Sequence, residues 1–340
     1  MNVRLWLQRV RSLADKAQVY HLTPSRLASW ALSRYSFLTA GARNLGLPRV
    51  LWIEATNACN LQCLICPTGS GTLGRAKARL AYERFKQIVD ELTGSLMRLV
   101  FSGYGEPFLN PEVYDMVAYA HKRKMFTEMY SNLLLPDDDA LQRIIESKLD
   151  LLVVAVDLAP EGQNWRYVRS TADNIVRVKE RLIRLFQLKQ AGQSRLPIVR
   201  ITYPVTKDSL PFLHQARQLA QDASADQFLP KTVNAIVAGK PEKDMKERFI
   251  PAGFDRYSRV KVGRGSCPWP YAAGLIYANG DFAPCCYLAR AEHVLGNVFE
   301  QGSVQTVWNS RRFREFRHQL MHKPESVPHC AQCVERFDSI

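Results

Sequence analysis

Short apolar runs alternate with helical patterns from residue 50 to about residue 230, and no other feature of the sequence constrains the fold as strongly. Six runs bounded by turn-forming residues predict strands, at 51–55, 98–102, 126–130, 151–156, 198–203 and 227–230. Helical patterns lie between them, at 81–92, 111–122, 138–147, 172–189 and 210–221. Repeated strand–helix units predict a parallel sheet with helices outside it, curled into an open barrel. Ligands then bind at the carboxyl ends of the strands.

The segments before and after this alternation predict different structures. Residues 3–17 have a helical apolar pattern, and Thr23-Pro24, an N-cap followed by a first-turn proline, starts a second predicted helix. The apolar face of that second helix comprises Leu27, Ala31, Tyr35 and Leu38. Two short strand runs around Asn279-Gly280 indicate a β-hairpin, and one helix is predicted over 306–321.

Three cysteines follow the first predicted strand as a C-x3-C-x2-C motif: Cys59, Cys63 and Cys66. Three thiolates on one short loop can hold three irons of a cubic 4Fe–4S cluster and leave the fourth iron open. A closed zinc site is the alternative, but it needs a fourth Cys or His, and the nearest histidines, His21 and His121, lie outside this loop. We therefore expect a 4Fe–4S cluster with an open coordination position.

This motif at the end of a first strand resembles the radical S-adenosylmethionine (radical SAM) superfamily, in which the open iron chelates S-adenosyl-L-methionine (AdoMet). Residues 102–107, SGYGEP, resemble the family's GEP element. The resemblance implies that Gly105 and Glu106 approach the methionyl amino group. Ser131-Asn132, after the third strand, resembles the family's T-N-G element and is expected to contribute to the same AdoMet site.

Two later positions extend the resemblance. Asp157 ends the fourth strand, where the family usually has S-x-D-G. Tyr167-Val168-Arg169 resembles the family's Y-x-x-R stretch, whose arginine can pair with the AdoMet carboxylate. The departures from the family pattern are Leu133, Ala155 and Leu158. For Ser131, Asp157 and Arg169, the alternative roles are a polar turn residue, a helix N-cap and a surface charge.

Four cysteines with the spacing C-x17-C-x44-C-x2-C occur near the end of the chain: Cys267, Cys285, Cys330 and Cys333. Four thiolates suit either zinc or a second 4Fe–4S cluster, and the spacing alone does not separate the two. The segment around them is similar to the SPASM and twitch domains attached to many radical SAM enzymes. That resemblance implies one auxiliary 4Fe–4S cluster held by these four residues.

Cys286 is the cysteine left over. It could replace Cys285 as the ligand, pack as a small apolar group, or donate a hydrogen atom to a substrate radical. Packing is the default for a buried cysteine. The donor role would make the enzyme an epimerase.

Half of the net charge of +14 lies in residues 1–50, which carry eight basic side chains and one acidic one. A basic amphipathic segment can lie on an anionic membrane, and packing on the main domain is the alternative. The first residues lack a signal-peptide apolar core, and the longest apolar run, 151–156, is too short to span a bilayer. We expect a cytoplasmic protein, with peripheral contact to the inner membrane face through residues 1–45 as a hypothesis.

The resemblance also implies the reaction. A reductant such as ferredoxin or flavodoxin reduces the front cluster, AdoMet is cleaved, and the 5′-deoxyadenosyl radical abstracts a substrate hydrogen atom. We expect oxidation (dehydrogenation) or epimerisation of a sugar, a polyol, or another small or lipid-linked substrate. The alternative is a peptide-modifying maturase, which is disfavoured because residues 1–50 lack the strand-rich pattern of a peptide-recognition module.

A hypothesis of another class is a zinc-containing nucleic-acid-binding protein whose basic front segment contacts phosphates. Under the enzyme hypothesis, nucleic acid is not an expected partner. The fold class expected from all these features is α/β, a partial (β/α)6 parallel barrel. Its predicted parts are a helical extension over 1–48, a radical SAM barrel over 49–240, and a small iron–sulfur domain with a β-hairpin over 241–340.

Overall fold

The computed structural model describes residues 22–63, 66–156, 172–232, 247, 249–253, 267–288, 291–327, 330 and 333. Within them, the six predicted strands are confirmed: β1 (Val50–Ile53), β2 (Arg98–Phe101), β3 (Phe126–Ser131), β4 (Leu151–Ala155), β5 (Ile198–Val205) and β6 (Gln227–Thr232). They pair in parallel in the order β6-β5-β4-β3-β2-β1. The prediction of a partial parallel barrel is confirmed.

Helices connect successive strands, as the alternating pattern predicts. The helices are α1 (Pro24–Leu38), α2 (Tyr82–Glu91), α3 (Val113–Lys122), α4 (Asp138–Glu146), α5 (Ala172–Ala191) and α6 (Leu213–Asp222). One face of the sheet packs against α2 to α6, and this interface is the main hydrophobic core. Leu51 and Ile53 of β1 lie on this outer face and have no exposed surface. Side chains of intervening residues, such as Trp52, therefore point to the inner face of the barrel.

The predicted hairpin is confirmed, and it extends the barrel sheet. The short helix α7 (Trp269–Ala272) leads into β7 (Ala273–Ile276), which turns at Asn279-Gly280 into the antiparallel strand β8 (Asp281–Ala283). Gly280 has φ +91°, a conformation that residues with a Cβ rarely adopt. β7 pairs in parallel with β1, and β9 (Gly296–Asn297) pairs with β8. The hairpin thereby places the cysteines that follow β8 beside the first strand.

The N-cap of α1 is the one predicted from the sequence, but a different face of the helix is buried. The Thr23 hydroxyl accepts a hydrogen bond from the Arg26 backbone N–H at 3.2 Å, as expected of an N-cap. The predicted packing face is wrong, because it is exposed to solvent: Leu27, Ala31, Tyr35 and Leu38. Arg26, Ser33, Ser36 and Phe37 are buried instead. The reason is that Arg26 and Ser36 hydrogen-bond to backbone groups from this side of the helix.

The helix predicted over 306–321 is two helices, α8 (Val304–Trp308) and α9 (Arg311–His322). The chain bends at Asn309 and Ser310, and the Ser310 hydroxyl caps α9 by accepting from the Phe313 N–H at 3.3 Å. The predicted span runs through Asn309 and Ser310, the two residues that separate the helices.

Several predictions lie outside the described residues. They are the helix over 3–17, Asp157, Tyr167 and Arg169, and the segment around residue 241. Within the part of the chain that the structure describes, no helix combines the length and apolar character needed to cross a bilayer.

Candidate functional site

The loop that carries the front cysteines begins directly after β1 and is held by backbone contacts. Thr56 donates its hydroxyl proton to the carbonyl of Ala78 at 2.8 Å, and the Asn57 side chain bridges the carbonyl of Ala76 and the N–H of Ala78. At the far end of the loop, the Cys66 N–H donates to the Cys63 carbonyl at 3.1 Å. These bonds fix the loop at the carboxyl edge of the sheet.

The three front cysteines form no disulfide and are of intermediate exposure. Burial is the main cause that raises the pKa of Cys59 to about 11, and the charges of Glu106 and Cys66 contribute in the same direction. The thiol of Cys59 therefore lies within electrostatic range of both groups. The loop therefore brings Cys59 near both Cys66, at the other end of the motif, and the carboxylate of Glu106.

Glu106 is the centre of a buried hydrogen-bond network at the end of β2 and β3. Its carboxylate accepts from the Ser131 hydroxyl at 2.8 Å, the Asn132 N–H at 2.9 Å and the Phe108 N–H at 3.3 Å. Burial raises the pKa of Glu106 to about 7, although these hydrogen bonds lower it. The structure thus brings together Glu106, Ser131 and Asn132, three residues selected from the sequence for one site.

Asn132 connects this network to the cysteine loop, because its side-chain amide donates to Asn60 Oδ1 at 2.9 Å. The next residue, Leu133, stands where the resembled family usually has glycine. It adopts φ +54° and its side chain is fully buried. The left-handed turn is therefore retained without glycine, supported by the bond from the Leu133 N–H to the Ser131 hydroxyl at 2.8 Å.

Gly105 lies against the start of the cysteine loop. A Cβ at this position would come 2.1 Å from the Thr56 carbonyl oxygen and 2.7 Å from that of Ala58. The Glu106 N–H also donates to the Ala58 carbonyl at 2.8 Å. Only glycine lets the loop after β2 approach the cysteine loop this closely, which explains the residue type at this position.

A buried ion pair beneath the cysteine loop was missed in the sequence. Glu54 and Arg75 form two parallel hydrogen bonds, at 2.9 and 2.8 Å, and both side chains are almost entirely buried. Glu54 also accepts from the Tyr104 N–H at 3.2 Å and the Ala278 N–H at 3.3 Å. The Arg75 guanidinium lies 3.8 Å from the ring centroid of Tyr277. No local pattern marks this pair, because its partners come from four separate segments.

Tyr104 connects the front and rear cysteines. Its ring packs in one cluster with Tyr277 and Cys66, and its hydroxyl donates to the Cys286 carbonyl at 3.2 Å. Burial raises the pKa of Tyr104 well above its ordinary value, and the charges of Cys286, Cys285 and Cys66 contribute in the same direction. The hairpin therefore brings the second cysteine group within range of the first.

The rear cysteines are also brought toward one another. Burial raises the pKa of Cys267 well above the usual thiol value, and the charges of Cys285, Cys330 and Cys333 raise it further. The thiol of Cys267 thus lies within electrostatic range of the other three. None of the four forms a disulfide, and all are of intermediate exposure.

The donor chemistry of both groups fits iron–sulfur clusters, because each offers several cysteine side chains and none of them is in a disulfide. Among the described residues, no three His, Cys, Asp or Glu side chains come close enough to hold a single metal ion. A cubic cluster binds each thiolate on a different iron, so its ligands lie farther apart than those of one ion.

Comparisons with known proteins give two family matches. Residues 53–204 match the Radical SAM superfamily. Residues 267–334 match SPASM, an iron-sulfur cluster-binding domain. The first match spans β1 to β5 and contains both the cysteine loop and the Glu106 network. The second contains the rear cysteines.

Individual proteins are similar over most of the chain. The tungsten-containing aldehyde ferredoxin oxidoreductase cofactor-modifying protein of Pyrococcus furiosus is 23% identical over 318 residues, 85% of this chain and 88% of that protein. The mycofactocin maturase MftC of Mycobacterium tuberculosis is 26% identical over 320 residues, 86% of this chain and 77% of MftC. Among solved structures, Streptococcus suis SuiB bound to precursor peptide SuiA has a TM-score of 0.64 at 13% identity, covering 89% of this chain and 73% of SuiB.

Proposed function

Since the chain belongs to the radical SAM superfamily and carries a C-terminal SPASM iron–sulfur domain, we propose that it modifies a peptide by abstracting a hydrogen atom from it. The observation that carries the peptide assignment is the similarity to mycofactocin maturase, which extends over 86% of this chain. The first expectation, a sugar, polyol or lipid-linked substrate, has weaker support among these relatives. The pattern that disfavours a peptide substrate lies in residues 1–50, of which 1–21 are outside the described residues.

We assign the front cysteines, Cys59, Cys63 and Cys66, to a 4Fe–4S cluster that binds AdoMet. When bound, the cluster would supply the electron that cleaves AdoMet, and AdoMet would supply the 5′-deoxyadenosyl radical that abstracts hydrogen. The protein's contribution is to position it. The network around Glu106 offers a buried carboxylate to the AdoMet ammonium group, and Gly105 lets that carboxylate approach the cysteine loop.

The rear cysteines, Cys267, Cys285, Cys330 and Cys333, are proposed to hold one auxiliary 4Fe–4S cluster. Asp157 and Arg169 remain proposed AdoMet contacts on the strength of the motif alone. The radical SAM barrel over 49–240 and the auxiliary domain over 241–340 remain our proposed division of the chain. Enzymes of this superfamily need a reductant as well as a substrate, and we propose ferredoxin or flavodoxin for that role.

Iron content and AdoMet cleavage test the cofactor assignment. Protein purified without oxygen should contain about eight irons per chain and should release 5′-deoxyadenosine when reduced. Replacing Cys59, Cys63 and Cys66 together by alanine should leave about four irons and abolish cleavage. Replacing Cys267 and Cys285 should remove the other four irons. Colourless protein that contains zinc and cleaves no AdoMet would contradict the assignment.

The peptide assignment is tested by supplying short peptides encoded beside the gene, together with AdoMet and reductant. We expect a mass loss in one peptide that depends on AdoMet and is absent with the front-cysteine alanine variant. A panel of sugars and polyols, assayed in parallel, provides the comparison. Conversion of a polyol with no change in any peptide would contradict the peptide assignment and support small-molecule oxidation instead.

A further inference from the structure

The inner face of the barrel carries a row of polar side chains that the cofactor assignment does not use. Strand register places Tyr130 of β3 beside Val153 of β4, Val153 beside Arg200 of β5, and Arg200 beside Gln227 of β6. Val153 is fully buried. Tyr130 and Arg200 therefore flank a small apolar residue on one row of the sheet and cover it.

Arg200 has unused hydrogen-bonding capacity in this row. Its Nε donates to Gln227 Oε1 at 2.7 Å, which orients the guanidinium plane. Its two terminal nitrogens have no hydrogen-bond partner in the part of the chain that the structure describes, and no carboxylate there pairs with it. A guanidinium held by one bond and left with two parallel donors matches the geometry of a carboxylate or phosphate.

Tyr130 supplies a second donor on the same row, two strands away from Arg200. Its ring is mostly buried, and its hydroxyl makes no hydrogen bond to any described residue. Burial raises the pKa of Tyr130, whereas the charges of Arg98 and Arg200 lower it, so both cations lie within electrostatic range of the hydroxyl. The phenol therefore stays protonated at neutral pH and can donate.

The charged residues nearer the amino ends of these strands do not offset the positive charge of Arg200. Arg98 and Glu128 pair with each other across β2 and β3, and Glu128 is almost fully buried. That pair neutralises itself, so among the described residues no carboxylate on this part of the inner face is left to offset the charge of Arg200. The face opens at the β6 edge, where Gln227 is exposed and Leu229 is 44% exposed.

We propose that Arg200 and Tyr130 bind an oxyanion of the substrate, a carboxylate or a phosphate, inside the barrel. The proposal rests on the proposed function for the existence of a substrate in this position. Tyr130 precedes Ser131, the residue that contacts Glu106. A substrate anchored at this row would therefore lie directly beneath the AdoMet site, with its reacting carbon held at a fixed height.

Arginine-selective modification with phenylglyoxal tests this site without a known substrate. The holoenzyme is treated without oxygen in chloride, N-acetylglycine or inorganic phosphate at equal ionic strength, and the rate at Arg200 is measured by peptide mass spectrometry. We expect N-acetylglycine or phosphate at several times its Kd to slow Arg200 modification at least about fivefold. The exposed Arg195, before β5, serves as the control and should react at the same rate in all three solutions.

Protection by N-acetylglycine would indicate a carboxylate substrate, and protection by phosphate a phosphorylated one. The Tyr130→Phe variant should lose part of the protection, whereas Tyr114→Phe, on α3, should retain it. Equal rates at Arg200 in all three solutions would overturn the proposal. So would protection of Arg200 by AdoMet in chloride, because Arg200 would then serve the cofactor. AdoMet cleavage in the absence of substrate is measured separately, so a failure here is distinguishable from a failure of the proposed function.

Discussion

Burial changes the ionisation of Glu106, the residue proposed to bind the AdoMet ammonium group. Its carboxyl is almost fully buried and its pKa is about 7, so it is largely protonated in the free protein below that pH. An ammonium group binds the ionised form of the carboxyl. AdoMet binding is therefore expected to require loss of this proton when the pH is below about 7.

We predict that the AdoMet affinity of the holoenzyme weakens as the pH falls below about 7, by up to about tenfold per pH unit. Glu106→Gln should weaken binding at pH 8 and flatten the pH profile, because the amide cannot ionise. Calorimetric titration with AdoMet at several pH values measures both effects. Glu112→Gln, on the same loop, is the control and should keep the wild-type profile. A Glu106→Gln variant with an unchanged pH dependence would contradict this role.

If Cys286 is the proposed hydrogen donor, it decides between two outcomes at the substrate. Its backbone carbonyl accepts from Tyr104, and its charge reaches both Tyr104 and Tyr130, so it lies at the boundary between the hairpin and the inner face of the barrel. As a hydrogen donor, its S–H bond would break and a substrate C–H bond would form. The resulting thiyl radical would take one electron from the reductant and one proton from solvent.

We predict that Cys286→Ala leaves an oxidation or a crosslink intact and stops an epimerisation that needs a thiol donor. Reactions in deuterated water, followed by mass spectrometry, separate these cases, because a solvent-exchanged thiol delivers deuterium to the substrate carbon. Cys286→Ser is the matched control for shape. Epimerised, deuterated product from the alanine variant would exclude the donor role.

At the scale of single elements, α1 is held to the barrel by hydrogen bonds rather than by its apolar side chains. Arg26 is buried and donates to the carbonyls of Thr93, Lys124 and Arg123, at 3.2, 2.8 and 3.0 Å. These three carbonyls belong to the loops before β2 and β3. One guanidinium therefore joins the helix to two strand–helix units.

Replacing Arg26 by methionine keeps most of the side-chain volume and leaves three carbonyls without their donor. We predict a loss of about 2–4 kcal/mol in the free energy of unfolding, because buried acceptors lose their partner. Urea unfolding followed by circular dichroism measures it. Arg34→Met, an exposed arginine on the same helix, should change stability far less. Similar losses in both variants would mean that α1 is not fixed through Arg26.

For the whole molecule, the Glu54–Arg75 pair joins the parts that must act together. Glu54 follows β1, and Arg75 follows the cysteine loop. Tyr104 belongs to the loop after β2, and Ala278 belongs to the hairpin. Gly103 allows this convergence, since a Cβ there would come 2.8 Å from that of Glu54. The pair therefore fixes the position of the hairpin, and so of the rear cysteines, relative to the front loop.

We predict that Glu54→Gln destabilises the protein by about 3–5 kcal/mol, because it leaves Arg75 buried without a counter-charge. The double variant Glu54→Gln, Arg75→Met should recover part of that loss, which a double-mutant cycle on unfolding free energies would reveal. Glu315→Gln removes one partner of the exposed Arg311–Glu315 pair and should leave the unfolding midpoint unchanged. Additive losses from Glu54 and Arg75 would show that the pair is not a unit.

Local sequence patterns determined much of this protein. Strand alternation, turn residues and N-caps depend on neighbours within a few positions, so the six parallel strands and the Asn279-Gly280 hairpin were predictable. The cysteine spacing and the motifs after β2 and β3 were visible for the same reason. Because strand ends of a parallel sheet meet at one edge, Glu106, Ser131 and Asn132 could be expected to converge before their distances were known.

The tertiary structure alone decided the rest. Glu54 and Ala278 are 224 positions apart, and Tyr130 and Arg200 are on different strands, so no local pattern relates them. Their meeting depends on strand register and on the docking of the hairpin against β1. The buried side of α1 was also beyond the sequence pattern, since three distant carbonyls outweighed the apolar periodicity of the helix. The sequence determined which residues could carry chemistry, whereas strand pairing decided which of them share a site, because register alone sets contacts between distant segments.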